Sequence, residues 1–154
     1  MKTKTVVLAL TLCFVGGAMS FAASPQMGTW KLNESKSKLV KWMGKNNTVV
    51  YQAERRKVKV TVDGVDAKGR VTHNEWVGKF DGKDHPVTGD PETDTRAYKE
   101  VNEHILDMTI KKAGKITMTG QIVVSDDGKT RTVTVSGMDP QGKKFTNTAV
   151  YDKQ

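Results

Sequence analysis

The chain has 154 residues, with 25 Lys and Arg against 17 Asp and Glu and a formal charge of +8. That length fits one domain, and a single cysteine excludes a disulfide-stapled scaffold. A basic balance can mark a nucleic-acid binder, but the N-terminal segment points to export and argues against that partner. Lys2 and Lys4 give a positive start, residues 6–15 an apolar run broken only by Thr11, and Ser20-Phe21-Ala22 a small-x-small cleavage pattern. Residues 1–22 therefore read as a signal peptide, with Ala18-Met19-Ser20 as a second cleavage pattern. Residues 23–154 form the single mature domain, expected to be periplasmic or extracellular. The apolar run is too short for a good membrane span, so the protein is expected not to cross a membrane. Cys13 lies inside that run. Lipoprotein processing would make it the first mature residue, but the bulky Leu12 stands where a small residue is wanted. Without Lys2 and Lys4 the charge is +6. It reads as a solvated basic exterior, or as attraction to an anionic envelope surface.

The mature chain opens with a short strand at 28–32. Residues 33–44 are the one stretch without strand character, and Asn33 or Ser35 suits a helix cap. A short helix or an irregular lid is expected there, with Leu39, Val40 and Met43 turned inward. Strands follow at 48–54 and 57–63, where Val58, Val60 and Val62 alternate with polar residues and define one buried and one wet face. A strand at 71–80 precedes a loose stretch, 81–94, containing Pro86 and Pro91 and a short strand at 85–88. Further strands are expected at 95–101, 104–112, 115–125, 130–136 and 144–152.

The divisions carry turn residues: Asp63-Gly64, Asp81-Gly82, Ala113-Gly114, Asp127-Gly128 and Gln141-Gly142. Each strand should therefore pair with the next. The fold class is all-β, an antiparallel up-and-down meander of about 8–10 strands closing into a barrel or a flattened clam. Closure would satisfy both edges, which suits a domain without disulfides.

Gly28-Thr29-Trp30 at the head of the first strand, followed by a non-strand segment and a meander, resembles the calycin superfamily of lipocalins and fatty-acid-binding proteins. The segment 28–33 with Lys36-Ser37-Lys38, the segment 79–89, and Asp139-Pro140-Gln141-Gly142 are similar to a group of small exported bacterial lipocalin-like proteins of largely uncharacterised function. The resemblance implies a calycin-like barrel with Gly28 and Trp30 at its closed end. It also implies an arginine on a late strand stacked on the tryptophan, for which Arg131 is the only candidate. The Arg-x-Tyr that holds a ligand carboxylate on the final strand of fatty-acid-binding proteins occurs here at Arg96-Ala97-Tyr98, on a middle strand, so that role does not transfer.

Arg96 and Tyr98 share a strand face. They are expected either to hold an anionic head group inside a cavity or to face solvent at the rim. Trp30, Trp42, Trp76 and Phe80 read most simply as core and barrel-end plugs; in a sharper reading Trp42, Trp76, Met108 and Met118 are the apolar walls of a pocket, because flexible Met side chains suit an adaptable surface. Trp76 and Phe80 also lie four apart on one face, with Gly78 between them to relieve crowding or allow a bend. His73, His85 and His104 have no ligand-like spacing, so no metal site and no cofactor are expected. No nucleophile elbow, phosphate loop or Cys–His pattern occurs, and no catalytic residue is expected. The leading expectation is an exported binding protein, not an enzyme, for a small hydrophobic or amphiphilic ligand held non-covalently. The alternative is a barrel filled by its own side chains, acting through its basic exterior as an envelope-associated interaction module.

Overall fold

A computed structural model describes residues 24–154. The predicted signal peptide and Cys13 lie outside the described residues. Ten antiparallel strands form one closed ring. They are β1 Gly28–Leu32, β2 Lys45–Glu54, β3 Lys57–Val65, β4 Val71–Gly78 and β5 His85–Thr88. The ring continues through β6 Thr95–Asn102, β7 Ile105–Lys112, β8 Lys115–Val124, β9 Thr130–Met138 and β10 Lys144–Lys153. Each strand pairs with its successor, and β1 pairs with both β2 and β10, so every strand of the ring has a neighbour on both sides, β5 through only two residue pairs on each.

Period-two alternation sends one face of every strand inward. Val58, Val60 and Val62 of β3 are buried and lie opposite Gly78, Trp76 and Asn74 of β4. Burying each valine side chain contributes roughly 1.5–3 kcal/mol. Leu106, Met108 and Ile110 of β7 lie opposite Ile122, Gly120 and Met118 of β8. Ile116 has the same parity in sequence, but a register shift after Ile110 pairs it with Lys111, and it is exposed.

Between β1 and β2 the chain takes the irregular form of the two expected there rather than a regular helix. It makes two single-turn 3-10 helices, Glu34–Lys36 and Lys41–Met43. Asn33 does cap the first, its side chain accepting from the Lys36 amide at 3.3 Å. The helix stops because the chain is drawn onto β10. Lys38 exchanges two backbone hydrogen bonds with Thr148, and the Ser37 hydroxyl accepts from the Val150 amide at 2.9 Å. The same hydroxyl donates to the Asn33 carbonyl at 2.7 Å, a local side-chain bond of the kind that competes with helix. Leu39 and Met43 pack on the core as expected, while Val40 does not join it.

The barrel is filled at one end. Trp30 is fully buried there, and its indole N–H donates to the Gln26 carbonyl at 3.0 Å. Gly28 adopts φ +115°, and a Cβ at that position would stand 2.9 Å from the Lys153 side chain, which lies over the Trp30 ring. Trp76 stacks on Phe80 with centroids 6.4 Å apart. Gly78 makes that arrangement fit, since a Cβ would come within 2.5 Å of the Trp76 ring and 2.6 Å of His85.

Candidate functional site

Above the aromatic plug the barrel interior holds a cavity of about 500 Å³. Its mouth is bounded by the 3-10 segment, the β3–β4 hairpin and the loop 89–94. Leu39, Val62, Met108, Ile110, Met118 and Val133 give it apolar walls. A polar cluster of Tyr51, Asn74, Arg96, Tyr98, Arg131 and Tyr151 also lines it.

The β6 register puts Arg96 opposite Ile110 and Tyr98 opposite Met108, so both side chains point inward and are buried. The solvent-facing alternative for this pair is thereby removed. Arg96 Nη1 donates to the Tyr98 hydroxyl at 3.4 Å, and Arg96 Nε has no partner. Arg131 of β9 faces Val124 and Tyr151 across the sheet. Its Nη2 donates to the Tyr51 hydroxyl at 2.5 Å, while Nε and Nη1 have no partner. The Arg131 guanidinium carbon lies 4.3 Å from the Tyr51 ring centroid and 5.9 Å from that of Trp30. Arg131 therefore reaches the tryptophan at cation–π range.

Two arginines thus stand inside the barrel with no carboxylate paired to either among the described residues. Burial disfavours charge on Arg96, but Tyr98 and Tyr51 outweigh it and hold the Arg96 pKa above the ordinary arginine value, with Asp90 adding to the effect. Burial pushes the Tyr51 hydroxyl well above the usual tyrosine range and Tyr151 up to about 12, in each case against the pull of Arg131. Both phenols are neutral donors near pH 7, beside two cations. An isolated buried charge is costly, so a cluster of this kind is chemically suited to receive an anion.

Of the residues picked out from the sequence, Arg96, Tyr98, Trp42, Met108 and Met118 line the cavity. Trp76 does not. Its ring sits in the filled end, edge-on to Tyr98 at 4.8 Å, and its N–H donates to the Arg96 carbonyl at 2.8 Å. Tyr98 therefore stands between Trp76 and the cavity. Trp42 is at the lip rather than in the wall, edge-on to Phe145 at 5.0 Å. Tyr51, Asn74 and Tyr151 were not singled out from the sequence. The alternations Val49, Tyr51 and Ala149, Tyr151 place both tyrosines inward, but chain-order reading cannot bring them to Arg131.

The histidines stay apart. His73 lies on the outer face against Asp63 at 2.7 Å, His85 stands edge-on to Trp76, and His104 contacts the Val124 carbonyl at 3.1 Å. Among the described residues no group of three or more His, Cys, Asp or Glu is placed to hold a metal ion. No helix among them is long and apolar enough to cross a membrane.

Fold and site together define a closed ten-strand up-and-down barrel with one plugged end and an arginine- and tyrosine-lined cavity behind an open mouth. In comparisons with known proteins, no family model and no curated protein matches the chain.

Proposed function

We propose that the protein is an exported, calycin-like binding barrel that takes one small amphiphilic ligand with an acidic head group, held non-covalently. The observation that carries this reading is the set of partnerless guanidinium nitrogens, Arg96 Nε and Arg131 Nε and Nη1, beside a cavity of about 500 Å³. That volume falls within the roughly 300–1,000 Å³ usual for small-molecule sites. The head group would sit among Arg96, Tyr98, Tyr51 and Arg131. The apolar portion would lie along Met108, Ile110, Met118 and Val133 toward the mouth. Apolar burial supplies affinity, and the arginines supply selectivity for an acid. The calycin assignment rests on the Gly28-Thr29-Trp30 opening, the plugged end and the order of the strands. Export rests on the pattern of residues 1–22.

A fluorescent fatty acid and its methyl ester test the reading. The acid should bind at least tenfold more tightly than the ester, since hydrogen bonds to charged groups contribute about 1.5–3 kcal/mol. Arg96→Met should remove most of that difference while leaving ester affinity and thermal stability near the parent values. Equal acid affinity in the parent and Arg96→Met would sink the head-group assignment.

A further inference from the structure

Of the six exposed large apolar side chains among the described residues, Trp42, Val71, Ile116 and Met138 lie at the mouth end of the strands and Val101 and Val123 at the other end. Trp42, 45 % exposed, Ile116, 61 %, and Met138, 58 %, share the side of the mouth built by β8, β9, β10 and the second 3-10 turn. Their position is set by packing beneath them. Trp42 rests edge-on against Phe145. Phe145 has room because Gly137 lies opposite it in β9, where a Cβ would come within 3.1 Å of both Phe145 and Met118. The indole rests on this floor at the lip.

Four lysines surround these residues. Lys41 precedes Trp42, Lys115 opens β8 beside Ile116, and Lys143 and Lys144 lie at the β9–β10 turn beside Met138. None of the four forms an ion pair within the barrel among the described residues. The carboxylate of that turn, Asp139, is occupied by the backbone amides of Gln141 and Lys143 at 2.9 and 2.7 Å. The rest of the rim is mixed in charge. Loop 89–94 carries Asp90, Glu92 and Asp94, of which Asp94 is held by Lys112, and the β3–β4 hairpin carries Lys68 and an Asp66–Arg70 pair. The apolar and cationic side chains thus come together on the β8–β10 side of the lip.

We propose that the β8–β10 side of the mouth docks on an anionic lipid surface, with Trp42, Ile116 and Met138 entering the head-group region and the four lysines against lipid phosphates. Tryptophan prefers the membrane interface, and lysine stems lie along apolar surface while their charges stay among head groups. Charge selects the occupant, because cations without an ion-pair partner among the described residues ring the apolar residues. Docked in this way, the mouth would open against the lipid. The docking stands on the lip residues and does not depend on the cavity taking a ligand.

Vesicles of phosphatidylcholine, with and without phosphatidylglycerol, provide the test, using protein made from the full chain and purified as the cell leaves it. Trp30 and Trp76 are buried, so Trp42 is the tryptophan among the described residues free to respond. Its emission should shift to the blue and be quenched by brominated lipid with the anionic vesicles. Association with neutral vesicles should be at least tenfold weaker. Lys143→Glu with Lys144→Glu should weaken association about 25-fold or more, by the usual contribution of basic residues beside an anionic leaflet. Trp42→Ala should weaken it while the protein still takes up the free fatty-acid probe. Arg55→Glu with Arg56→Glu, at the plugged end, should change it little, and Arg96→Met not at all, which separates failure of docking from failure of the ligand reading. Unchanged association in both lip variants would overturn the proposal. So would an unmoved Trp42 emission, or binding to polyglutamate without binding to vesicles, which would point to an acidic protein instead.

Discussion

At the scale of single residues, the interior is organised by side chains that touch both plug and cavity. Trp30 closes the barrel from below, Arg131 lies within cation–π range of it, and Tyr51 takes a hydrogen bond from Arg131. Trp30→Ala should cost roughly 3–5 kcal/mol in a denaturant titration, as large-to-small core changes do. A loss under about 1 kcal/mol would mean that the indole is not a plug. The glycine between Trp76 and Phe80 was legible as relief of crowding, because a two-residue period stacks those rings on one face. The reach of Arg131 to Trp30 was not legible in strand order alone. It depends on β9 pairing with β10 and β10 with β1, and only ring closure brings them together. For Trp76 the sequence leaves plug and cavity wall both open, and Tyr98 of β6, standing edge-on to it, decides for the plug.

At the scale of elements, the hairpins carry most of the fold, and their turn residues were readable. The β7–β8 turn is an instructive exception to ideal chemistry. Ala113 and Gly114 both take positive φ, 49° and 73°, as a type I′ turn requires. Glycine suits that conformation and alanine does not. Ala113→Asn should therefore raise stability by about 0.5–1 kcal/mol, seen as a higher denaturation midpoint with an unchanged slope. A lower midpoint would show that the Ala113 amide bond to Asp94, at 2.7 Å, has been disturbed. The β2–β3 turn lacked a glycine signal, and Arg55 supplies the left-handed residue at φ 55°. The segment between β1 and β2 read as helix or lid from its caps and apolar spacing. Bonds from Ser37 and Lys38 to β10 override that local preference, and such long-range pairing leaves no local mark.

At the scale of the whole molecule, the surface charges set how stability depends on pH. Lys59 holds the Glu75 carboxyl below its ordinary range, Lys112 does the same for Asp94, and hydrogen bonds do so for Asp66, Asp81, Asp127 and Asp152. A carboxylate held low stabilises the fold above its unfolded pKa, about 4, and loses that contribution as pH falls through the folded value. His73 has the opposite sign. Asp63 chiefly raises its pKa, so its contribution is complete below about 6.5 and is lost as pH rises through the higher folded value. The melting temperature should be highest between about pH 4.5 and 6.5, fall on the acid side, and decline slightly on the alkaline side. His73→Gln should flatten only the alkaline decline. These pairs are solvent-exposed, so each effect is small.

The ring itself has a consequence for how the chain comes to be folded. β1 takes one neighbour from the adjacent β2 and the other from β10, the last strand in the ring. Hairpins from β1–β2 to β9–β10 join strands adjacent in the chain, but the pairing of the first strand with the tenth waits for the whole chain. Until then the two ends of an open sheet carry unpaired backbone, and Trp30 has only half its wall. Closure joins residues far apart in the chain, and contacts of that range slow folding. The last pairing to form is thus the one that seals Trp30, so the step that completes the sheet also completes the floor of the cavity.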